Sequence, residues 1–259
     1  MAGITGKTPS VTYKDLLKIE NTNNGVDDTL RQIESGDGTG SALYIEKNST
    51  KIMPTDDDTA LLDVQDKDGN SKFKVDTTND LIYALGHKIN TQYAYFGTTS
   101  SDSVPSSSNT HTAIPFGNVF AGATEVTFGT STDPDTSLTI STTADDLICN
   151  VWYVPDNITI DAAYVWLAGD ASSGDTVKFH LMSYDIVTAD GSTCGDLSNG
   201  TVLADGSDIV HDGYEQADYQ SLTIQSSNVD SGKAILFMIH SNGTNSDYTV
   251  NATVKYHLR

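Results

Sequence analysis

Alternation of apolar and polar residues with a period of two is the main structural signal along this chain. It is clear in residues 60–65 and 71–76, and the intervening segment, 66–70, has the Asp and Gly composition of a tight turn. The two runs therefore predict a β-hairpin. Four apolar residues would share one face of it: Leu62, Val64, Phe73 and Val75. An isolated hairpin is only marginally stable in water. Because no helix is predicted nearby, other copies of the chain are the simplest partner for this face.

A regular series of strand-like segments follows in the second half of the chain. They span residues 124–128, 137–141, 146–154, 157–168, 176–187, 220–225, 233–240 and 247–256. Residues 234–239 are apolar at every position, which is typical of a central strand covered on both faces. A run of strands without helices predicts an all-β domain, a β-sandwich for which a jelly roll is the most economical topology.

The N-terminal part shows less periodicity. A capping-box pattern that begins at Thr12 predicts a helix of at most two turns over residues 13–19. Residues 27–33 fit a helix or a strand equally well. The Gly-rich segment 35–40 predicts a turn, and residues 41–45 predict a strand.

These patterns divide the chain into four parts. Residues 1–54 form an N-terminal extended arm, and residues 55–97 form a β-hairpin module. Residues 98–113 are a Ser/Thr-rich stretch with the composition of an interdomain linker. Residues 114–259 form the distal, jelly-roll-like sandwich. The expected fold is therefore all-β, with a short helix confined to the arm.

Charge narrows the possible partners. The net charge is −21, and it divides at Gly97 into 10 basic and 15 acidic residues before it (−5) and 4 basic and 20 acidic residues from there on (−16). So acidic a surface argues against binding nucleic acid or an anionic membrane. No apolar stretch approaches the roughly 18 to 20 residues of a membrane span, and the first residues lack a signal-peptide pattern.

Catalytic and metal-binding signatures are missing from the sequence. The six histidines are dispersed without metal-ligand spacing, so His180 and His240 are interpreted as ordinary strand residues. No nucleophile or phosphate-loop motif occurs. Residues 66–70 lack the register of a calcium loop, although the Asp-rich segments 56–58 and 190–218 fit either solvated turns or a Ca²⁺ site. We expect no enzyme activity, no cofactor and no resident metal.

Two questions stay open at this point. Cys149 and Cys194 are either a disulfide pair or two free thiols, and free thiols are favoured because no signal peptide is predicted. Trp152 and Trp166 fall in adjacent strand-like segments, so each is either part of the core or an exposed ring on which a sugar can stack.

Most of the chain resembles virion proteins of tailed phages. Residues 12–19, 25–31 and 36–45 resemble the N-terminal attachment region of fibre and head-decoration proteins, and residues 62–75 are similar to the short β-modules repeated along such fibres. Three distal stretches resemble the jelly-roll tips of marine-phage virion proteins: 162–167, 179–184 and 251–257.

This resemblance implies a homotrimer on the outer surface of a phage particle, that is, a capsid decoration, cement or head-fibre protein. The arm would bind the major capsid protein or another virion protein through six residues: Tyr13, Leu16, Leu17, Ile19, Leu30 and Ile33. The hairpin face formed by Leu62, Val64, Phe73 and Val75 would be the trimer core. The alternative is a tail-fibre or receptor-binding protein that recognises host glycans, for which Trp152 and Trp166 are the candidates.

Overall fold

The computed structural model describes residues 17–21, 24–98, 104, 108–117, 125–140, 144–169, 173–243 and 248–259. Their regular secondary structure is almost entirely β, with 53% strand and 2% helix, and the strands form antiparallel sheets, which confirms the all-β fold class. The chain divides into two compact units, Met1–Ile89 and Asn90–Arg259, called here the N-terminal unit and the C-terminal unit.

The first sheet of the N-terminal unit has four antiparallel strands that follow one another in sequence order: β1 (Leu17–Ile19), β2 (Arg31–Ser35), β3 (Gly40–Ile45) and β4 (Thr50–Ile52). Leu17–Ile19 is thus a strand and not the end of the predicted helix, while residues 13–16 lie outside the described part. The physical reason is pairing, since Ile19 lies opposite Ile33 and a helix of two turns is marginal without such a partner.

The second sheet contains the predicted hairpin and two further short strands: β5 (Leu62–Gln65), β6 (Ser71–Asp76), β7 (Leu81–Ala84) and β8 (His87–Lys88). Asp66 closes the hairpin turn, because its Oδ1 accepts hydrogen bonds of 2.9 Å from the backbone N–H groups of Asp68 and Asn70. Gly69 takes a φ of 82° there, and a hydrogen bond from Lys72 helps to lower the pKa of Asp66 to about 2.

The second sheet is apolar on one face only. Leu62 lies opposite Val75, and Val64 lies opposite Phe73, so the four predicted residues do share a face. Ile82 extends that face by pairing with Val75. This face is incompletely buried, since Val64 is 50% and Ile82 is 36% exposed.

The C-terminal unit is built on one large antiparallel sheet. Its eight main strands are β9 (Thr91–Gly97), β10 (Thr110–Ile114), β12 (Ile158–Gly169), β13 (Thr176–Ile186), β14 (Leu197–Asp205), β16 (Gln216–Ile224), β18 (Lys233–Ser241) and β19 (Tyr248–Leu258). Three two-residue strands flank them: β11 (Trp152–Tyr153), β15 (Ile209–Val210) and β17 (Asn228–Val229). A five-residue helix, α1 (Ala144–Ile148), precedes β11.

This sheet curls until its two edges meet. Its strand order is β10-β18-β13-β14-β16-β12-β19-β9, and a bridge between Phe96 and Phe116 joins β9 to the residues that follow β10. Fully buried side chains fill the inside: Phe96, Ile114, Ile158, Ile160, Leu167, Phe179, Leu181 and Phe237. The curled sheet therefore encloses its own core.

A second apolar cluster covers the outside of β13 and β18. Val126, Phe128 and Leu147 of the segment that precedes β11 pack there against Tyr184 and Met238. The hydroxyl of Tyr184 donates a 2.8 Å hydrogen bond to the carbonyl of Asp135. Residues 234–239 are consequently buried on both faces, as their apolar run predicts.

The boundary between the units differs from the predicted one. The structure divides the chain after Ile89, not at 97/98, because β9 pairs with β19 from Thr91 to Gly97. At the other end of the predicted linker, residues 110–113 lie within β10, which pairs with β18 of the same unit.

Several predicted strands also differ. Residues 146–154 contain the end of α1 and then β11. In the described parts of the other two predicted strands, 125–128 and 137–140, the pairing is an isolated bridge, at Thr127 and at Leu138. Strand β14 was missed because the dipeptide Asn199-Gly200 suggests a turn. Asn199 instead takes a φ of 51° within the strand, at an irregularity in its pairing with β13.

Candidate functional site

Half of the curled sheet presents an exposed face rich in aromatic residues. Along β12 the side chains alternate, so that Val165 and Leu167 are buried while Trp166, between them, is 57% exposed. Tyr219 on β16 is 53% exposed, and Tyr95 on β9 is 50% exposed.

Thirteen residues that point outward from the middle of four adjacent strands define this surface, called here the aromatic face: Ala217, Tyr219 and Ser221 on β16; Ala162, Tyr164, Trp166 and Ala168 on β12; Thr249, Asn251, Thr253 and Lys255 on β19; Tyr93 and Tyr95 on β9. Five are aromatic, none is acidic, and Lys255 is the single charged residue among them. In a chain with 35 acidic residues, this is a distinctive neutral surface.

Register places these side chains in rows across the strands. In one row Trp166 lies between Tyr219 and Asn251. The next row runs from Ser221 through Tyr164 and Thr253 to Tyr95. The Trp166 and Tyr219 ring centroids are 5.4 Å apart, and the Tyr164 and Tyr219 rings are nearly parallel at 6.2 Å. Stacked rings beside amide and hydroxyl groups are suited to binding a sugar.

The two tryptophans have different roles. Trp152 is only 7% exposed, and its ring packs 4.8 Å from that of Tyr256 and 6.3 Å from that of Phe116. It lines a cavity of about 110 Å³ together with Gln92. Of the two predicted stacking residues, Trp166 is therefore at the surface and Trp152 belongs to the core. The tyrosines of the aromatic face were not predicted as site residues.

The predicted anchoring residues are only partly described. Two lie outside the described part of the chain: Tyr13 and Leu16. Leu17 is 74% exposed on β1. Ile19 and Ile33 form a cross-strand pair on the first sheet, and Leu30, just before β2, is half-buried.

A histidine cluster lies on the opposite half of the sheet and was not predicted from the sequence. His111 on β10 lies opposite His240 on β18, which in turn lies opposite Lys178 on β13. His180 follows two residues later on the same face. The ring of His111 is 4.5 Å from that of His240 and 5.0 Å from that of His180. Strand pairing alone brings these residues together.

Burial keeps this cluster uncharged at neutral pH. Burial, reinforced by the neighbouring imidazoles, lowers the pKa of His111 to about 4 and that of His180 to about 3, and burial lowers the pKa of His240 as well. Asp205 is 3.3 Å from the Nδ1 of His180, but its carboxylate also pairs with Lys178 at 3.0 Å. The cluster is therefore a packed group of neutral rings.

Other candidate chemistry is limited to isolated groups. Across the described ranges, no group of three or more His, Cys, Asp or Glu side chains is arranged to hold a metal ion. Cys149 is partly buried and Cys194 is exposed, and both are free thiols. No described helix has the length and apolar character needed to cross a membrane.

Comparison with protein families and curated proteins gives no match. No protein-family model matches the chain, and no curated protein is significantly similar to it. The surfaces of the two units are thus the basis for assigning a function.

Proposed function

We propose that this chain is a non-enzymatic structural protein of a tailed-phage particle: a homotrimeric capsid decoration, cement or head-fibre protein on the outer surface. Residues 1–54 would bind the major capsid protein or another virion protein. The C-terminal unit, a jelly-roll-like sandwich, would project outward. The observation that carries this proposal is the contrast between a C-terminal unit that encloses its own core and an N-terminal unit that leaves apolar residues exposed.

The exposed apolar residues of the N-terminal unit are numerous for its size. Among its described residues, the exposed ones are Leu17, Val26, Leu43, Ile52, Met53, Val64, Ile82, Leu85 and Ile89. Fully burying one such side chain contributes about 1.5–3 kcal/mol, so several residues from each copy would supply a substantial driving force for assembly. This supports an assembly in which other chains bury the exposed apolar residues of the N-terminal unit.

The second sheet suits a trimer core in particular. Its opposite face is polar: Asp63 lies opposite Lys74, which lies opposite Tyr83, and the Lys74 ammonium is 4.4 Å from the Tyr83 ring. Three copies arranged about an axis would turn Val64 and Phe73 inward and keep this polar face in water. The number three itself follows from the resemblance to phage fibres.

Charge supports the orientation. The C-terminal unit holds 20 of the acidic and only 4 of the basic residues, a net charge of −16, against −5 for the N-terminal unit. Acidic domains repel one another, and this repulsion is reduced when the domains project into solvent, where dissolved ions screen their charges.

Sedimentation of the full chain combined with a particle-binding assay tests this proposal. We expect an assembly of about three times 27.7 kDa that binds particles lacking the protein. Deletion of residues 1–34 should abolish particle binding and leave a soluble C-terminal unit. A monomeric full chain, or particle binding that survives the deletion, would contradict the proposal.

A second candidate function is favoured by the aromatic face. Exposed Trp166 and Tyr219 support a tail-fibre or receptor-binding protein that recognises host-surface glycans through its C-terminal unit. Selective binding on a glycan array would favour this function over a purely structural one, because a cement protein has no use for sugar selectivity.

A further inference from the structure

We infer that the aromatic face binds an extended, neutral polysaccharide that lies across the strands from Tyr219 to Tyr95. The inference rests on the second candidate function and deepens it, because it specifies the class of glycan, its length and the residues that hold it.

Charge is the first step of the argument. The C-terminal unit carries a net charge of −16, so its field opposes the approach of uronic acids, sialic acids and phosphorylated sugars. The thirteen residues of the aromatic face include no acidic residue and a single cation, Lys255 at one end. The carboxylate that lies beyond Lys255, that of Asp161, is paired with the Nδ1 of His257 at 3.1 Å. It therefore lacks the basic cluster that anionic glycans need, and a neutral glycan bound away from Lys255 would not have to desolvate a charged group.

Spacing is the second step. Neighbouring strands are about 4.8 Å apart, so Tyr164 and Tyr95, which lie in one row with Thr253 between them, are separated by about 10 Å. In the adjacent row Asn251 follows Trp166. Two strands that carry aromatic rings for stacking, β12 and β9, thus lie on either side of β19, which carries hydroxyl and amide groups for hydrogen bonding. A polysaccharide presents the same two features, ring faces and hydroxyl groups, along its whole length.

Composition distinguishes a glycan from a second copy of the chain. The outward positions of these four strands contain alanine and polar or aromatic residues, and no Leu, Ile, Val, Met or Phe. The apolar face of the N-terminal unit, in contrast, consists of Leu, Val, Ile and Phe. Tyrosine with Ser, Thr and Asn is the composition of adaptable binding surfaces and not of an obligate, core-like interface.

Affinity electrophoresis of the full chain tests this inference. Native gels would contain a soluble neutral polysaccharide (hydroxyethylcellulose, galactomannan, xyloglucan or dextran) or an anionic one (alginate). We expect at least one neutral polysaccharide, and not alginate, to retard the protein. Trp166→Ala and Tyr95→Ala should each weaken binding at least tenfold. The matched control is Tyr214→Ala, which removes a ring that is 75% exposed but lies outside the aromatic face.

Each other result overturns the inference. Absence of retardation by all four neutral polysaccharides, or equal retardation by alginate, would exclude a neutral-glycan site. If Trp166→Ala loses binding while Tyr95→Ala binds as tightly as the unmodified chain, the site consists of a single ring, and an extended site is excluded. A changed sedimentation mass of Trp166→Ala would show that the face lies between copies. Failure of glycan binding with trimer formation and particle binding intact would leave the structural function standing.

Discussion

We expect the histidine cluster to make the C-terminal unit sensitive to mild acid. In the unfolded chain an imidazole takes up a proton near pH 6.5, whereas folded His111 does so only near pH 4 and folded His180 only near pH 3. Between pH 6.5 and 4 the unfolded state therefore binds more protons than the folded state, so stability falls as the pH falls. The stabilisation is complete above the unfolded pKa and is lost on acidification.

The size of the effect follows from these pKa differences. One pKa unit corresponds to about 1.4 kcal/mol, and pH 5 is about 1.5 units below the pKa of an unfolded histidine, so each of the two residues costs about 2 kcal/mol of stability at pH 5. Together they remove about 4 kcal/mol, a large part of the 5–15 kcal/mol that is typical of a domain. The charged side chains around the cluster are Lys178, Asp133, Asp205 and Asp208.

Urea unfolding at pH 7, 6 and 5, followed by tryptophan emission, measures this loss, because both tryptophans are in the C-terminal unit. In His180→Leu the dependence of stability on pH should fall to about half, whatever its stability at pH 7. His87→Gln, at an exposed histidine of the N-terminal unit, should leave it unchanged. A stability that is constant between pH 7 and 5, or a His180→Leu variant with the full pH dependence, would refute the reasoning.

Three further predictions concern assembly and packing. Val64→Lys should dissociate the trimer in sedimentation experiments, because it places a charge in the proposed core. Gln65→Lys, on the other face of β5, should leave the trimer intact. Equal masses for the two variants would count against a trimer core at this face. Trp152→Ala should lower the unfolding free energy by about 3–5 kcal/mol, because its ring is buried. Trp166→Ala, at an exposed ring, should change it by less than about 0.5 kcal/mol. Similar losses in both variants would contradict the placement of Trp152 in the core and Trp166 at the surface. Gly200→Ala should cost about 1–3 kcal/mol in the same assay, because its Cβ would lie 2.6 Å from a ring carbon of Tyr184; a neutral effect would show that β14 relaxes there.

Local chemistry explains why the hairpin could be predicted. Its strands are separated by five residues, and the turn is stabilised by Asp66 and Gly69 within that segment. Alternation then determines that Leu62, Val64, Phe73 and Val75 share a face. Everything needed for this prediction lies within residues 60–76.

Non-local pairing explains the features that were missed. The partner of β9 is β19, about 160 residues later, so nothing near Thr91–Gly97 indicates that this strand belongs to the C-terminal unit. The same holds for His111, which meets His180 and His240 only because β10, β18 and β13 are neighbours in the sheet.

By itself, the sequence determined the β character of the chain, its acidity and its hairpin. The β character and the hairpin depend on patterns among residues that are close together in sequence, and the acidity is a count of charged residues. The tertiary structure alone decided which face of β12 became the core. Ala163, Val165 and Leu167 alternate there with Tyr164 and Trp166, and both sets are apolar enough to be buried. Only the packing of β12 against the rest of the curled sheet selected the smaller set for the interior and left Trp166 at the surface.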